Sequence, residues 1–143
     1  YRKRLDCVEL IRKTMDWGKE LLKARLYAKA VYGMLKNRKF DNETLYHIIC
    51  LSIEGYTLTL AYMLNYIPTH SGLTFVVREL GKKMNLPTHF VDEARFLNSF
   101  MTYCSLDFEE PKKVSESDLK RMISFLTDIK VFTEEKAKNS QLV

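Results

Sequence analysis

The sequence predicts an all-α fold, an up-and-down bundle of four main helices with one additional short helix. Its 143 residues include only 5 Gly and 3 Pro, which favours helices over turn-rich sheets. Apolar residues recur at helical spacing in several segments, and no segment alternates with period two. The predicted connections are short, as between antiparallel neighbours. A chain of this length fits one domain, so we expect a single helical domain over residues 1–143, with a polar tail from about residue 133.

The first predicted helix is long and amphipathic. It runs from about Leu5 to Leu35, with a bend near Gly18 or Lys23, and Asp16 lies on its solvent face. Two adjoining apolar stripes are expected to pack inward. The first consists of Val8, Ile11, Met15, Leu22 and Leu26, and the second of Leu10, Trp17, Leu21, Ala24, Ala28, Val31 and Leu35.

The second predicted helix, about Glu43 to Tyr66, is apolar nearly all round, which is typical of a helix enclosed by neighbours. Asp41 or Asn42 can cap its start, and Pro68 is expected to end it. The segment is long enough to cross a bilayer, but Glu54 near its centre favours a buried core helix and no membrane association. Three of its tyrosines can reach solvent at the helix edge while their rings pack, and they equally suit a protein interface: Tyr56, Tyr62 and Tyr66.

Two shorter helices follow. The third is predicted to begin at Thr69 or Ser71 and to end near Gly81. Its buried side comprises Leu73, Val76, Val77 and Leu80. The fourth is predicted from Pro87, a residue suited to a first helical turn, to Cys104. Its apolar positions at helical spacing are Phe90, Ala94, Leu97 and Met101.

The last predicted helix opens on a capping box. Ser115 is followed three residues later by Asp118, so each side chain can bond the backbone amide of the other. The helix continues to about Ile129 through Leu119, Met122, Ile123 and Leu126. The chain after Thr133 is polar and is expected to fray.

Positive charge is concentrated near the start of the chain. The net charge is +5; residues 1–40 hold twelve Lys or Arg against four Asp or Glu, and the remainder holds eleven against fourteen. This asymmetry could attract nucleic acid or the phosphates of a nucleotide, and we take Arg12, Lys19 and Lys23 as the candidate phosphate-attracting surface. The alternative is that these charges only keep a helix face solvated.

Cysteine and histidine spacing predicts no metal site. Cys7, Cys50 and Cys104 are odd in number and far apart, so we expect reduced core thiols in a cytoplasmic protein. The histidines form no HxxH or HExxH set, and no nucleophile and base pattern or Gly-rich phosphate loop is present. We therefore expect no metal, no cofactor and no catalytic residue.

One carboxylate stands alone in the most apolar stretch. From Thr44 to Val77, Glu54 is the only formally charged side chain. On a helical wheel His47, Glu54 and Asn65 fall within about 20° of one another. With His70 in the following turn, they are the candidate ligand-binding residues, accepting hydrogen bonds from a base or sugar. In the alternative, Glu54 pairs inside the core with Tyr27, Tyr32 or a cation of the first helix.

The block LYHIICLSIEGYTLTLAYMLNYIPTHSGLTFVVREL resembles the HEPN family, helical domains found beside minimal nucleotidyltransferases and in toxin-antitoxin pairs. Glu54 matches that family's helical glutamate, and the Pro-Thr-His turn at 68–70 matches its turn. The later stretch LNSFMTYCSLDFEEPKKVSESDLKRMISFLTDI is similar to its fourth and last helices. The resemblance covers about residues 15–133. It implies a homodimer that acts as a nucleotide-binding accessory domain or as the partner of a nucleotidyltransferase.

The chain departs from the catalytic HEPN pattern. Ribonuclease members carry an Arg and a His with four to six residues between them, whereas the nearest pair here is Arg38 and His47, with eight residues between. Leu58 also stands where non-catalytic members place a Lys. We therefore predict a non-enzymatic domain. The alternatives are a toxin-type ribonuclease and a purely structural interaction module, and RNA binding has no motif in its favour.

Overall fold

The computed structural model describes residues 16–37, 39–68, 72–100 and 112–141. All regular structure within these ranges is α-helical, which confirms the all-α prediction. The five helices in the described ranges are α1 (Trp17–Asn37), α2 (Asn42–Met63), α3 (Leu73–Lys83), α4 (His89–Asn98) and α5 (Glu116–Gln141).

Helix α1 begins later than predicted because Asp16 caps it. The Asp16 carboxylate accepts hydrogen bonds from the amides of Gly18 (3.0 Å) and Lys19 (3.4 Å), so the prediction of continuous helix through Asp16 is wrong. Residues 1–15, including Val8, Ile11 and Met15, lie outside the described residues. Of the two predicted stripes, the second is buried at Leu21, Ala24, Ala28 and Val31. The two described members of the first stripe are exposed, Leu22 at 58% and Leu26 at 68%, contrary to the prediction.

Helix α2 ends at Met63, five residues before Pro68, because Asn65 terminates it. Asn65 adopts a left-handed backbone conformation with φ 55°. The amide of Tyr66 then donates to the Ala61 carbonyl (2.9 Å) and the amide of Asn65 to the Tyr62 carbonyl (3.0 Å). These two bonds form a Schellman motif, which stops a helix without a proline. At the other end the Asp41 side chain accepts from the Thr44 amide (2.8 Å), as predicted.

Helices α3 and α4 keep their predicted buried faces but not all their predicted bounds. Leu73, Val76, Val77 and Leu80 of α3 and Phe90, Ala94 and Leu97 of α4 are buried. Helix α4 is shorter than predicted and ends at Asn98; the amide of the next residue, Ser99, still donates to the Arg95 carbonyl (3.0 Å). The predicted positions Thr69, Ser71, Met101 and Cys104 lie outside the described residues.

Helix α5 confirms the capping box and overturns the prediction of a frayed tail. The Ser115 amide donates to Asp118 Oδ2 (3.0 Å), and the Asp118 amide donates to Ser115 Oγ (3.1 Å). The helix continues to Gln141 because two positions beyond the last predicted one still face the core. Thr133 is 0% and Ala137 is 3% exposed, so packing outweighs the polar composition of this segment.

Helix α2 is central and contacts α1, α3 and α5. Its approach to α1 is close because Gly55 has no side chain: a Cβ built there would lie 2.9 Å from the Ala24 Cβ and 3.1 Å from the Ala24 Cα. The buried Ser52 hydroxyl donates to the Ala24 carbonyl across the same contact (2.9 Å). A small residue at position 55 therefore sets the spacing of these two helices.

Helix α5 packs chiefly against α2, and its side chains pair with those of α1 on one side and of α4 on the other, both antiparallel to it. Towards α1, Arg25 pairs with Glu134 while Tyr32 lies 3.2 Å from Thr127. Towards α4, His89 pairs with Asp128 and Glu93 with Arg121. In both cases a later residue of the neighbouring helix pairs with an earlier residue of α5, which is the pattern of antiparallel helices. Each side of α5 thus borders a groove.

Candidate functional site

The ligand-binding residues predicted for the second helix do not converge, and Asn65 lies beyond the end of α2. His47 and Glu54 are seven residues apart, or about 10 Å along the axis, and Asn65 lies about 16 Å beyond Glu54. The His47 side chain is exposed, with its ring centroid 5.4 Å from that of Tyr46. Asn65 is exposed and serves as the helix terminator described above. His70 lies outside the described residues.

Glu54 is half-buried without a partner among the described residues. No hydrogen bond or ion pair links its carboxylate to any of them, and desolvation by burial raises its pKa above the ordinary value of 4.5. Tyr32, suggested above as a partner, instead places its hydroxyl 3.2 Å from Thr127 Oγ1. Glu54 therefore carries a cost of burial that these contacts do not offset.

Of the predicted phosphate-attracting surface, one described lysine is exposed and the other is paired with a glutamate. Lys19 is exposed. Lys23 Nζ lies 3.6 Å from Glu20 Oε1 on the same helix, which lowers the charge it presents to a ligand. Arg12 lies outside the described residues.

A groove between α1 and α5 gathers more positive charge than that surface. Its cavity volume is about 490 Å³, and it is lined by Arg25, Lys29, Tyr32, Gly33, Lys36 and Lys130. Four of these six residues carry a positive charge and none a negative one. Gly33 has no side chain, and a Cβ there would meet nothing within 4 Å. The groove lies within the usual size range of small-ligand sites, roughly 300 to 1,000 Å³.

Sequence reasoning located the basic helix but missed this side of it. Arg25, Lys29, Tyr32 and Lys36 follow one another at intervals of four, three and four residues, which places them on one face of a helix. That spacing was visible in the sequence. Lys130, however, reaches the groove from a helix about 100 residues further along the chain, and no local pattern indicates it.

The four cations of the groove differ in their surroundings. Arg25 makes a two-bonded pair with Glu134, Nε to Oε1 and Nη2 to Oε2, both at 2.6 Å. The paired carboxylate raises the Arg25 pKa, and the guanidinium lowers the Glu134 pKa. Lys130 Nζ lies 5.2 Å from the centre of the Tyr32 ring. Lys29 and Lys36 have no hydrogen bond or ion pair with any described residue, so their charges are available to an anion.

A buried hydroxyl lies close to this groove. Tyr56 is fully buried, contrary to the prediction that its hydroxyl reaches solvent, and its Oη has no hydrogen-bond partner among the described residues. Burial and the negative charge of Glu134 raise its pKa to about 12, against a smaller opposing effect of Arg25. Tyr56 is therefore a neutral, buried hydroxyl without a hydrogen-bond partner among the described residues, and it senses the charges of Arg25 and Glu134.

A second groove lies on the other side of α5. Its cavity volume is about 330 Å³, and it is lined by Pro87, His89, Phe90, Asp128, Val131, Phe132 and Glu135. His89 Nε2 lies 3.1 Å from Asp128 Oδ2, a pairing that the sequence did not indicate. The described part of the chain contains no cluster of three His, Cys, Asp or Glu residues able to hold a metal ion.

The predicted core thiol is in place at Cys50. It is buried and forms no disulfide, and burial raises its pKa to about 12 against a smaller opposing effect of a hydrogen bond with the Tyr46 side chain. This is the behaviour of a packing residue and not of a nucleophile. Cys7 and Cys104 lie outside the described residues.

Comparisons with protein-family models, with curated proteins and with solved structures each find no match to this chain. Among the helices that the structure describes, none combines the length and apolar character needed to cross a membrane.

Proposed function

We propose that this chain is a non-catalytic nucleotide-binding domain, and that the groove between α1 and α5 receives the phosphates. The observation that carries the proposal is the convergence of four cationic side chains on one groove, two of them without a partner in the described structure. Lys and Arg are the side chains that proteins use to bind phosphate, Lys as a point charge and Arg as a planar fork. The excess of positive charge in residues 1–40 adds long-range attraction for the same ligand.

The proposal moves the site away from the one the sequence suggested. The carboxylate of Glu54 would repel a phosphate, and His47 and Asn65 lie too far from it to share a small ligand. The HEPN-like four-helix arrangement, the homodimer and the nucleotidyltransferase partner stay part of the proposal as implications of the family resemblance. A nucleotide-binding accessory domain would use the groove to hold a nucleotide for such a partner.

Isothermal calorimetry with ATP, GTP, CTP and UTP at low salt tests the proposal. We compare wild type with the double variant Lys29→Ala/Lys36→Ala and with a matched control, Lys19→Ala/Lys23→Ala, which removes the same charge elsewhere on α1. We expect saturable heat that the first double variant abolishes and the control retains, because only the first pair lines the groove.

Three results would contradict this assignment. Absence of heat with every nucleotide would refute nucleotide binding and favour a structural interaction module. Equal losses in both double variants would show attraction to net charge without a defined site. Loss of binding in Glu54→Gln, with Lys29→Ala/Lys36→Ala unaffected, would return the site to α2.

A further inference from the structure

The strongest phosphate-binding group in the groove is already occupied by a carboxylate of the chain itself. The guanidinium of Arg25 presents a planar pair of donors that fits a carboxylate or a phosphate equally well. Glu134 accepts both of these bonds at 2.6 Å. It therefore holds the position on Arg25 that a phosphate of a ligand would need.

We infer that Glu134 competes with the ligand for Arg25, and that this competition selects ligands carrying a chain of phosphates over those carrying one. The inference rests on the proposed function. Glu134 is held beside Arg25 because α1 and α5 both pack against α2, whereas a ligand must arrive from solution. A single phosphate can gain little by replacing a carboxylate that is already in place.

A chain of phosphates gains more binding free energy when it replaces Glu134 on Arg25, because it contacts other cations at the same time. Lys29 lies about 6 Å and Lys36 about 16 Å from Arg25 along the axis of α1, and Lys130 approaches from α5. A polyphosphate engages several of these cations at once, and their combined attraction can displace Glu134 from Arg25. An orthophosphate reaches only one part of the groove. The ligand class is therefore a nucleoside triphosphate or another linear polyphosphate.

The neighbouring glutamate provides a matched control. Glu134 and Glu135 are adjacent and carry the same charge, but Glu134 pairs with Arg25 while Glu135 lines the groove on the opposite side of α5. Replacing either by glutamine removes one negative charge from α5. Only Glu134→Gln releases Arg25.

The experiment measures the binding of inorganic triphosphate and of orthophosphate by calorimetry at fixed ionic strength. For wild type we expect binding of triphosphate and none of orthophosphate. Glu134→Gln should tighten triphosphate binding by up to about fivefold, the upper end of what a partly exposed ion pair supports, and should make orthophosphate binding measurable. Glu135→Gln should leave both affinities unchanged.

A second variant tests the same inference through Arg25. Arg25→Lys keeps the charge but loses the planar fork, so it should weaken triphosphate binding, and adding Glu134→Gln to it should bring no further gain. The melting temperature of every variant is measured in the same series. If Glu134→Gln alone folds poorly, the comparison of Arg25→Lys with Arg25→Lys/Glu134→Gln still tests the inference.

The outcomes separate this inference from the proposed function. Equal triphosphate affinities for wild type, Glu134→Gln and Glu135→Gln, with binding still dependent on Lys29 and Lys36, would overturn the role of Glu134 and leave the groove as the site. Equal gains in both glutamine variants would show a general charge effect and would also overturn it. No triphosphate binding in any variant would overturn the proposed function together with the inference.

Discussion

Replacing Gly55 by Ala tests whether a small residue sets the distance between α1 and α2. The new Cβ would lie 2.9 Å from the Ala24 Cβ and 3.1 Å from the Ala24 Cα, well inside the 3.5 to 4.0 Å at which carbon atoms make favourable contact. The Cα belongs to the backbone, so the strain cannot be relieved by rotating a side chain. The two helices must move apart, which also stretches the hydrogen bond from Ser52 to the Ala24 carbonyl.

The magnitude follows from two opposing effects. Overpacking of a closely packed contact costs about 1 to 3 kcal/mol, and a backbone neighbour places this contact at the upper end. Alanine is favoured over glycine within a helix by about 1 kcal/mol. We therefore expect Gly55→Ala to lower the free energy of unfolding by about 2 kcal/mol. For a chain of this size that corresponds to a fall in Tm of about 7 °C.

Gly33→Ala is the matched control, because Gly33 is also within a helix but has nothing within 4 Å of a built Cβ. It should gain the helix preference alone, about 1 kcal/mol. Chemical denaturation followed by circular dichroism gives both values. In the double variant Ala24→Gly/Gly55→Ala, removal of the Ala24 Cβ should recover part of the loss. A Gly55→Ala protein as stable as Gly33→Ala would refute the close approach of the two helices.

Two further predictions concern buried polar groups. Tyr56→Phe removes a buried hydroxyl that has no partner in the described structure and should raise the free energy of unfolding by about 1 kcal/mol. Tyr46→Phe removes a buried hydrogen bond to the Leu97 carbonyl (2.7 Å) and should lower the free energy of unfolding by a similar amount. Chemical denaturation in which both variants change that free energy in the same direction would contradict this. Because burial raises the Glu54 pKa above 4.5, its stabilising contribution is complete below about pH 4.5 and is lost as the pH rises through the raised pKa. Glu54→Gln should thus melt above wild type at pH 7 and approach it near pH 4; a variant that melts lower at pH 7 would contradict the absence of a partner.

The buried faces of α3 and α4 were predictable because they depend on local spacing, whereas one stripe predicted to be buried on α1 is exposed at Leu22 and Leu26. The periodicity of Leu73, Val76, Val77 and Leu80 is enough to orient α3, since only one arrangement hides all four. Likewise, the capping box at Ser115 and Asp118 needs only residues three apart. Both were confirmed because the interactions that decide them lie within a few residues of one another.

The predictions were wrong where a helix end, the burial of a residue or the position of a groove depends on distant residues or on a particular backbone conformation. Nothing near Thr133 in the sequence shows that Thr133 and Ala137 are buried, because their burial comes from packing against other helices. The left-handed Asn65 ends α2 before Pro68 does, and an asparagine can equally occupy a helix. The α1–α5 groove depends on Lys130 meeting Arg25 and Lys36 across a helix interface. Sequence spacing could therefore indicate the cations of α1 but not the site.

The two grooves on either side of α5 carry opposite charge and so create an electric dipole across this helix. Cations line the α1 side, and Asp128 and Glu135 line the α4 side, so charge is separated across the width of the helix and not along its axis. An approaching polyanion exerts a torque on such a distribution before it makes contact. The chain would turn its α1 edge towards the polyanion, so a larger share of encounters would occur in a productive orientation. The association rate should therefore fall as added salt screens the field.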